Sequence, residues 1–519
     1  MADGRMPRLR RAVKEGAHGI LFSTIPPITP AAWTTFLTGR QPGSHGILDF
    51  ERYDPSAHRL RFNSTLTVEL VRNLWRILSD HGLKVGSINV PMTFPAFHVN
   101  GFLISGFETP DKNSDFVYPA DLKADILARW PDPTLRENWR HSWYGRRRAF
   151  TENLDYIRHS FAQGFEMTRY CAGRYGWDCL MVVLKLVDNL QHKTWRYIDP
   201  RWRDRDPRRW ADVVDVLAEL DRTVGDFLDF AASRQAVTLI VSDHGHGSLE
   251  GKIYANLLLE QWGYLNLQGG ANSNGRIRGI LNRVRNRPPL HREDHLMKDL
   301  PVDFSRTRAC VMHAGMAGFL YINLQGRQPC GIVPPAEYET LREELRQRFL
   351  GTECRVRDSQ GRWVQLFTGA DRPEDLYGRS REEQPWMPDL ILTPHRSLSV
   401  VRKIRGRKPV RWLSSRRIEG THRPEGIFVA VGPGIAAGRR VNPHIVDCAP
   451  TVLALMGLPI PREMEGKAIS EMFLEPPRIK HETELSTSAR PIASSGENVY
   501  TQRELEQVTT RLSDLGYLE

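Results

Sequence analysis

CLMVVLKLVDNLQH (residues 179–192) and VTLIVSDHGHG (residues 237–247) share one pattern: a run of branched apolar residues breaks abruptly into Asp and His. Apolar runs of this length, without polar alternation, predict strands buried on both faces, over Cys179 to Val187 and Val237 to Val241. Upstream of the first run, Phe150, Leu154, Ile157, Phe161 and Phe165 recur at helical spacing and predict a helix near residues 145–175. Between the two runs, Trp210, Val213, Leu217, Leu220, Val224 and Leu228 mark another helix. Leu83 to Val90 (LKVGSINV) and Gly101 to Ser105 (GFLIS) add shorter strands. Buried strands alternating with one-faced helices predict an α/β fold, a mostly parallel sheet sandwiched by helices.

Working outward, the character changes near Gly269. GGANSNGRIRG and RVRNRPPLHRED are rich in Gly, Asn, Arg and Pro and read as a surface excursion. A mixed block follows, with the strand-like GFLYINL, a helix around Glu337 to Phe349 and polar turns. The core pattern returns with PDLILTP and GIFVAVGPGI, then a helix from about His444 to Met456. After Pro476 the chain is polar until Arg503 to Leu518, where a short docking helix is expected. The expected organisation is a core of residues 1–265 and 386–475, an inserted cap of 266–385, and a tail of 476–519.

The chain has 519 residues, a formal net charge of +11, and 40% hydrophobic residues. That apolar content suffices for a large core and excludes wholesale disorder. The positive charge lies in short clusters among acids, such as Arg146 to Arg148, Arg208 with Arg209, and Arg416 with Arg417. A nucleic-acid binder shows a coherent basic stripe or a recognisable module. The scattered charge is therefore read as a solvated surface biased toward small anionic substrates. No stretch approaches the roughly 20 apolar residues that span a bilayer. The basic opening MADGRMPRLRRAVKEG lacks the apolar centre of a secretory signal. The six cysteines (Cys171, Cys179, Cys310, Cys330, Cys354 and Cys448) contain no C-x-x-C pair and are expected as reduced thiols in a soluble, cytoplasmic protein.

In sheets of this kind, ligands gather at the carboxyl ends of strands. Asp188 and His192 follow the first apolar run, Asp243 and His244 follow the second, and His422 precedes GIFVAV. Carboxylate oxygen mixed with imidazole nitrogen suits Zn²⁺ or Mn²⁺ better than Mg²⁺ or Ca²⁺. Each residue also has an ordinary reading. Asp188 would cap the next helix, His192 would lie on the surface, and His422 alone says little. The adjacent Asp243 and His244 are harder to dismiss, because polar groups at a buried strand end need partners. Thr29 followed by Pro30 is a helix-start signature, with Gly39 closing the same helix. Thr29 is thus either a cap or a nucleophile in the positive field of a helix N-terminus, where a metal would complete its activation.

Together the stretches ITPAAWTTFLTGRQPGSHGI, VGSINVPMTFP, the D-x-x-x-H of Asp188 and His192, SDHGHG, GTHRPEGIFVAVGPGI and HIVDCAPTVLALMGLPIP carry a resemblance. The sequence resembles the type I phosphodiesterase/nucleotide pyrophosphatase family of the alkaline phosphatase superfamily. The resemblance implies an alkaline-phosphatase-like core, an inserted cap that selects the substrate, and hydrolysis of phosphodiester or pyrophosphate bonds through a phospho-threonine. It implies two divalent metals: one held by Asp188, His192 and His422, the other by Asp243 and His244, with Thr29 between them. The family also opens with an apolar strand ending in an Asp that binds the second metal. That strand is expected upstream of Met1, and without it the second metal would keep only Asp243, His244 and Thr29. The sulfatase pattern C/S-x-P-S-R is not present around Thr29. Phosphomonoester or phosphonate-ester hydrolysis, and an impaired relative acting as a binding protein, stand as alternatives. His313 in VMHAGMAG is either a further site residue or an ordinary core or surface residue.

Overall fold

The computed structural model describes residues 5–63, 72–131, 147–268, 302–351, 355–357, 361–379, 383–384, 386–483 and 500–515. The expected excursion after Gly269 lies outside the described residues. The chain forms two compact units. The first comprises Met1–Asp49, Ser64–Ser248 and Ser415–Gly516; the second comprises Phe50–Asn63 and Leu249–Ser414. The second unit is wider than the insert expected at 266–385, because a hairpin of Glu51–Asp54 with Arg59–Phe62 belongs to it. Leu398–Val401 and Val410–Trp412 belong to it as well, pairing with Gly251–Tyr254.

The first unit carries two sheets. In one, β2 (Val85–Val90) pairs in parallel with β3 (Gly101–Ser105) on one side and β5 (Cys179–Val182) on the other, and the short β4 (Val117–Tyr118) joins β3 antiparallel. In the other, β1 (Ala17–Phe22) and β6 (Thr238–Val241) both pair antiparallel with β9 (Glu425–Val431). A separate two-stranded ladder joins β7 (Gly245–Leu249) to β8 (Glu419–Arg423). Parallel pairing thus holds around β2, whose six residues are all buried, as its apolar run requires.

The two runs that opened the sequence reading behave differently from expectation. β5 and β6 are half-buried throughout, because each is the outer strand of its sheet among the described residues. The first run also stops being a strand at Val182; Leu186 and Val187 already belong to the helix that follows.

Helices cover the sheets. α1 (Pro7–Glu15) and α3 (Arg147–Tyr175) precede α4 (Leu186–Ile198) and α5 (Pro207–Ala232). Phe150, Leu154, Ile157 and Phe161 of α3 pack with Leu186, Leu190, Val213, Val216 and Leu220 of α4 and α5, the periodic residues of the sequence forming one core. α2 (Thr29–Thr38) is buried at every position, and its Ala32, Trp33, Phe36 and Leu37 join Trp75, Leu103, Phe428 and Leu453 in the main core. Removing such surface from water stabilises the fold by about 1.5–3 kcal/mol for each large side chain. The expected helix from His444 begins as a single tight turn, Ile445–Asp447, before α6 (Cys448–Leu455). The expected terminal helix is present as α7 (Gln502–Leu515). No helix among the described residues is long and apolar enough to cross a membrane.

Candidate metal centre and active site

Thr29 is not a cap. Ile28 occupies the N-cap position in extended conformation, and Thr29 lies just inside the helix with Pro30 next to it. Its hydroxyl donates to the Asp243 carboxylate and stands 3.3 Å from His244 Nε2. The helix ends at Gly39, whose φ of 64° is left-handed and whose N–H donates to the Thr35 carbonyl.

α4 presents Asp188 and His192 four residues apart, hence on one face. That face packs on β8, which carries His422. The approach is close because Gly420 has no side chain: a Cβ there would meet the Gln191 carbonyl oxygen at 2.4 Å and His192 Cα at 3.1 Å. The same approach lets His192 Nδ1 donate to the Gly420 carbonyl at 2.9 Å. His422 Nδ1 likewise donates to the Pro27 carbonyl at 2.9 Å, tying β8 to the loop before Thr29. Asp243 and His244 occupy the turn from β6 into β7. Gly245 allows that turn to lie against β9, since a Cβ there would meet the Glu425 carbonyl oxygen at 2.0 Å.

All six sequence-predicted residues therefore meet. Asp188 Oδ1 is the hub, at 3.4 Å from His192 Nε2, 3.6 Å from His422 Nε2 and 3.9 Å from His244 Nε2. His244 Nε2 lies 3.4 Å from Asp243 Oδ2. A seventh residue, His246, was not among the expectations. Its Nε2 is 3.1 Å from Asp188 Oδ1, and its side chain is 1% exposed. The alternation of an extended chain was the signal that pointed to it, since His244 and His246 flank one glycine. His313 lies in the second unit, buried on the strand Ala309–Ala314 with its ring stacked on Phe319.

Burial governs the electrostatics. It would raise the Asp188 carboxyl, but the His192 charge and hydrogen bonds from His192, His246 and His422 hold it well below the usual range. Burial would lower His192, yet the Asp188 charge carries it up. Burial, seconded by His422, holds His244 well below its ordinary value; it lowers His246 to about 3, and it lowers His422 too. Burial and then the Asp188 charge push Asp243 up to about 8, against the hydrogen bond from Thr29.

The donor set fits a divalent cation. Carbonyls only accept, so both Nδ1 atoms of His192 and His422 carry hydrogen, and their Nε2 atoms face each other across 2.9 Å. A proton on one of them or a metal ion between them satisfies that approach. Asp188, His192, His246 and His422 each offer an atom within 4.8 Å of the other three. Tetrahedral bonds of about 2.0–2.1 Å place donors roughly 3.3 Å apart. The separations found here are 2.9 Å between His192 and His422, and 3.1, 3.4 and 3.6 Å from Asp188 to His246, His192 and His422.

A family model described as type I phosphodiesterase / nucleotide pyrophosphatase matches residues 1–425. Among solved structures, phosphonoacetate hydrolase from Sinorhizobium meliloti 1021 is similar in two complexes. With phosphonoformate it shows 15% identity and a TM-score of 0.51, over 86% of this chain and 89% of that one. With phosphonoacetate it shows 14% identity and a TM-score of 0.50, over the same shares. Human ectonucleotide pyrophosphatase / phosphodiesterase 5 shows 12% identity and a TM-score of 0.47, over 87% of this chain and 90% of that one. At these identities the likeness to phosphonoacetate hydrolase is one of fold alone. No curated protein matches the sequence.

Proposed function

The chain belongs to the type I phosphodiesterase / nucleotide pyrophosphatase family, and from that premise we propose a metal-dependent hydrolase of phosphodiester or pyrophosphate bonds with Thr29 as nucleophile. The observation that supports this reading most is a convergence. Thr29, Asp188, His192, Asp243, His244 and His422 come from separate segments and meet in one buried cluster around Asp188 Oδ1.

Asp188, His192 and His422 would hold one divalent ion, Zn²⁺ or Mn²⁺, and Asp243 and His244 a second beside Thr29. Such ions, when bound, lower the pKa of the threonine hydroxyl and offset charge on the phosphoryl oxygens. Asp243 and His244 orient the Thr29 oxygen toward phosphorus. In-line attack forms the Oγ–P bond as the bond to the leaving alcohol or phosphate breaks, leaving a phospho-threonine. Water then cleaves the Oγ–P bond and restores the hydroxyl. The helix N-terminus beneath Thr29 favours the anionic phosphoryl group throughout. Pro30 carries no N–H and the Ala32 N–H is taken by the Ile28 carbonyl at 2.9 Å, which leaves the Ala31 N–H as the donor of this turn for the incoming group.

The test is Thr29→Ala, assayed on bis-p-nitrophenyl phosphate with added Zn²⁺ or Mn²⁺. A loss of at least about 1,000-fold is expected, in line with removing a covalent nucleophile. Undiminished turnover in that variant would remove Thr29 from its role and with it this mechanism.

A further inference from the structure

We propose that His246 is the fourth donor to the ion at Asp188, His192 and His422, so that this position has more protein donors than the position beside Thr29. The proposal rests on the hydrolase reading above and divides its two ion positions into unequal kinds.

Three observations carry it. First, His246 sits on β7, hydrogen-bonded along its length to β8, so its ring stands beside His422 with centroids 5.2 Å apart and beside His192 with centroids 4.8 Å apart. Secondly, its Nδ1 has no hydrogen-bond partner among the described residues, while its Nε2 faces Asp188 Oδ1 at 3.1 Å. An imidazole this deeply buried loses its water contacts and needs a partner for its ring nitrogens. A cation shared with Asp188 supplies one at Nε2. Thirdly, the ring is braced from behind: Trp195, one turn beyond Gln191 on α4, stacks on it at 6.1 Å with an interplanar angle of 27°. Its indole N–H donates to Asp199 Oδ2 at 3.3 Å.

Three imidazole nitrogens and one carboxylate oxygen make four protein donors, a set that can still expand to five-coordination when a substrate oxygen approaches. Asp243, His244 and the Thr29 hydroxyl supply fewer protein donors, and the remaining vertices face the phosphoryl group. The first ion taken up should therefore go to the four-donor position, bind more tightly, and leave more slowly than the second.

The experiment uses the full chain stripped with chelator and titrated with Co²⁺ and Zn²⁺. Wild type should take up a first equivalent with the intense visible absorption of four-coordinate Co²⁺, then a second, weaker one. His246→Ala should bind the first equivalent at least about 10-fold more weakly, beyond the smaller losses typical of outer-shell partners, with an altered Co²⁺ spectrum. Thermal unfolding of both metal-free proteins checks that the variant folds. If it does not, X-ray absorption of wild type with one equivalent of Zn²⁺ counts the imidazoles directly. Three imidazoles support the assignment and two overturn it, as does an unchanged first-equivalent affinity and spectrum in the variant. Wild type that binds no ion at all would instead overturn the hydrolase reading, which keeps the two failures apart.

Discussion

Replacing Gly420 with alanine tests whether the site depends on how closely β8 approaches α4. The added Cβ would stand 2.4 Å from the Gln191 carbonyl oxygen, inside any tolerable contact. Backbone lies on both sides, so no flexible side chain can move aside, and strand and helix must part by about 1 Å to reach ordinary van der Waals separation. That movement takes the Gly420 carbonyl out of reach of His192 Nδ1, now at 2.9 Å, and carries His422, two residues along the same strand, away from Asp188. Overpacking costs about 1–3 kcal/mol and the lost hydrogen bond about 1 kcal/mol more. A lost orienting contact weakens metal affinity by roughly 10–100-fold, and a misplacement of about 1 Å slows turnover by about 100-fold. Gly173→Ala is the control, since a Cβ there meets nothing within 4 Å and the residue lies inside α3. Chelator competition, bis-p-nitrophenyl phosphate turnover and denaturant unfolding of both variants decide the matter. A Gly420→Ala protein with metal affinity and turnover within about threefold of wild type would refute the claim that this approach sets the ligand geometry.

Two further outcomes follow from buried carboxylates. Asp188→Asn removes the hub charge from the imidazole cluster and should abolish tight uptake of the first ion, read as the loss of one equivalent of metal by elemental analysis. Glu108 lies outside the cluster; its Oε1 accepts the Met92 N–H at 2.6 Å, while its Oε2 is buried with no hydrogen-bond partner among the described residues. Burial raises its carboxyl from 4.5 to about 7, against the charges of Lys185 and Arg511. The folded state therefore holds the proton more tightly than the unfolded chain. Its contribution to stability is complete below about pH 4.5 and lost as pH rises through about 7, amounting to about 3 kcal/mol over that window. Glu108→Gln should flatten this part of the stability–pH curve, and equal slopes for both proteins in denaturant titrations between pH 5 and 8 would count against it.

Much of this molecule was legible in its sequence, for identifiable reasons. The helical period of Phe150, Leu154, Ile157 and Phe161 gives the buried face of α3, because a helix repeats its contacts locally. The Gly39 stop is equally local. Two readings turn on contacts that are remote in sequence. Thr29 carries every mark of a cap, and only the arrival of Asp243 and His244, more than 200 residues on, turns its hydroxyl to another partner. The runs at Cys179 and Val237 are apolar enough for central strands, but position within a sheet depends on which strands pair with them, which composition does not encode. His246 escaped because alternation across Gly245 acquires meaning only once β8 is known to lie alongside.

The position of β5 and β6 bears on how the site keeps its shape. The strands leading toward Asp188 and into Asp243 are both half-buried outer strands among the described residues, held by a ladder on one side. Sheet pairing alone would leave their following turns free to shift. The turns are instead held by contacts that cross the chain: His192 to the Gly420 carbonyl, His422 to the Pro27 carbonyl, and the Ser23 hydroxyl to the Asp243 carbonyl. Each of these anchors uses a backbone oxygen, so each survives side-chain variation nearby and orients its partner in one direction only. The Nε2 atoms of His192 and His422 are left facing inward, 2.9 Å apart, where the divalent ion proposed above would meet both. An ion held there, as proposed above, would tie α4 to β8, so metal affinity and local order at this end of the first unit should rise and fall together.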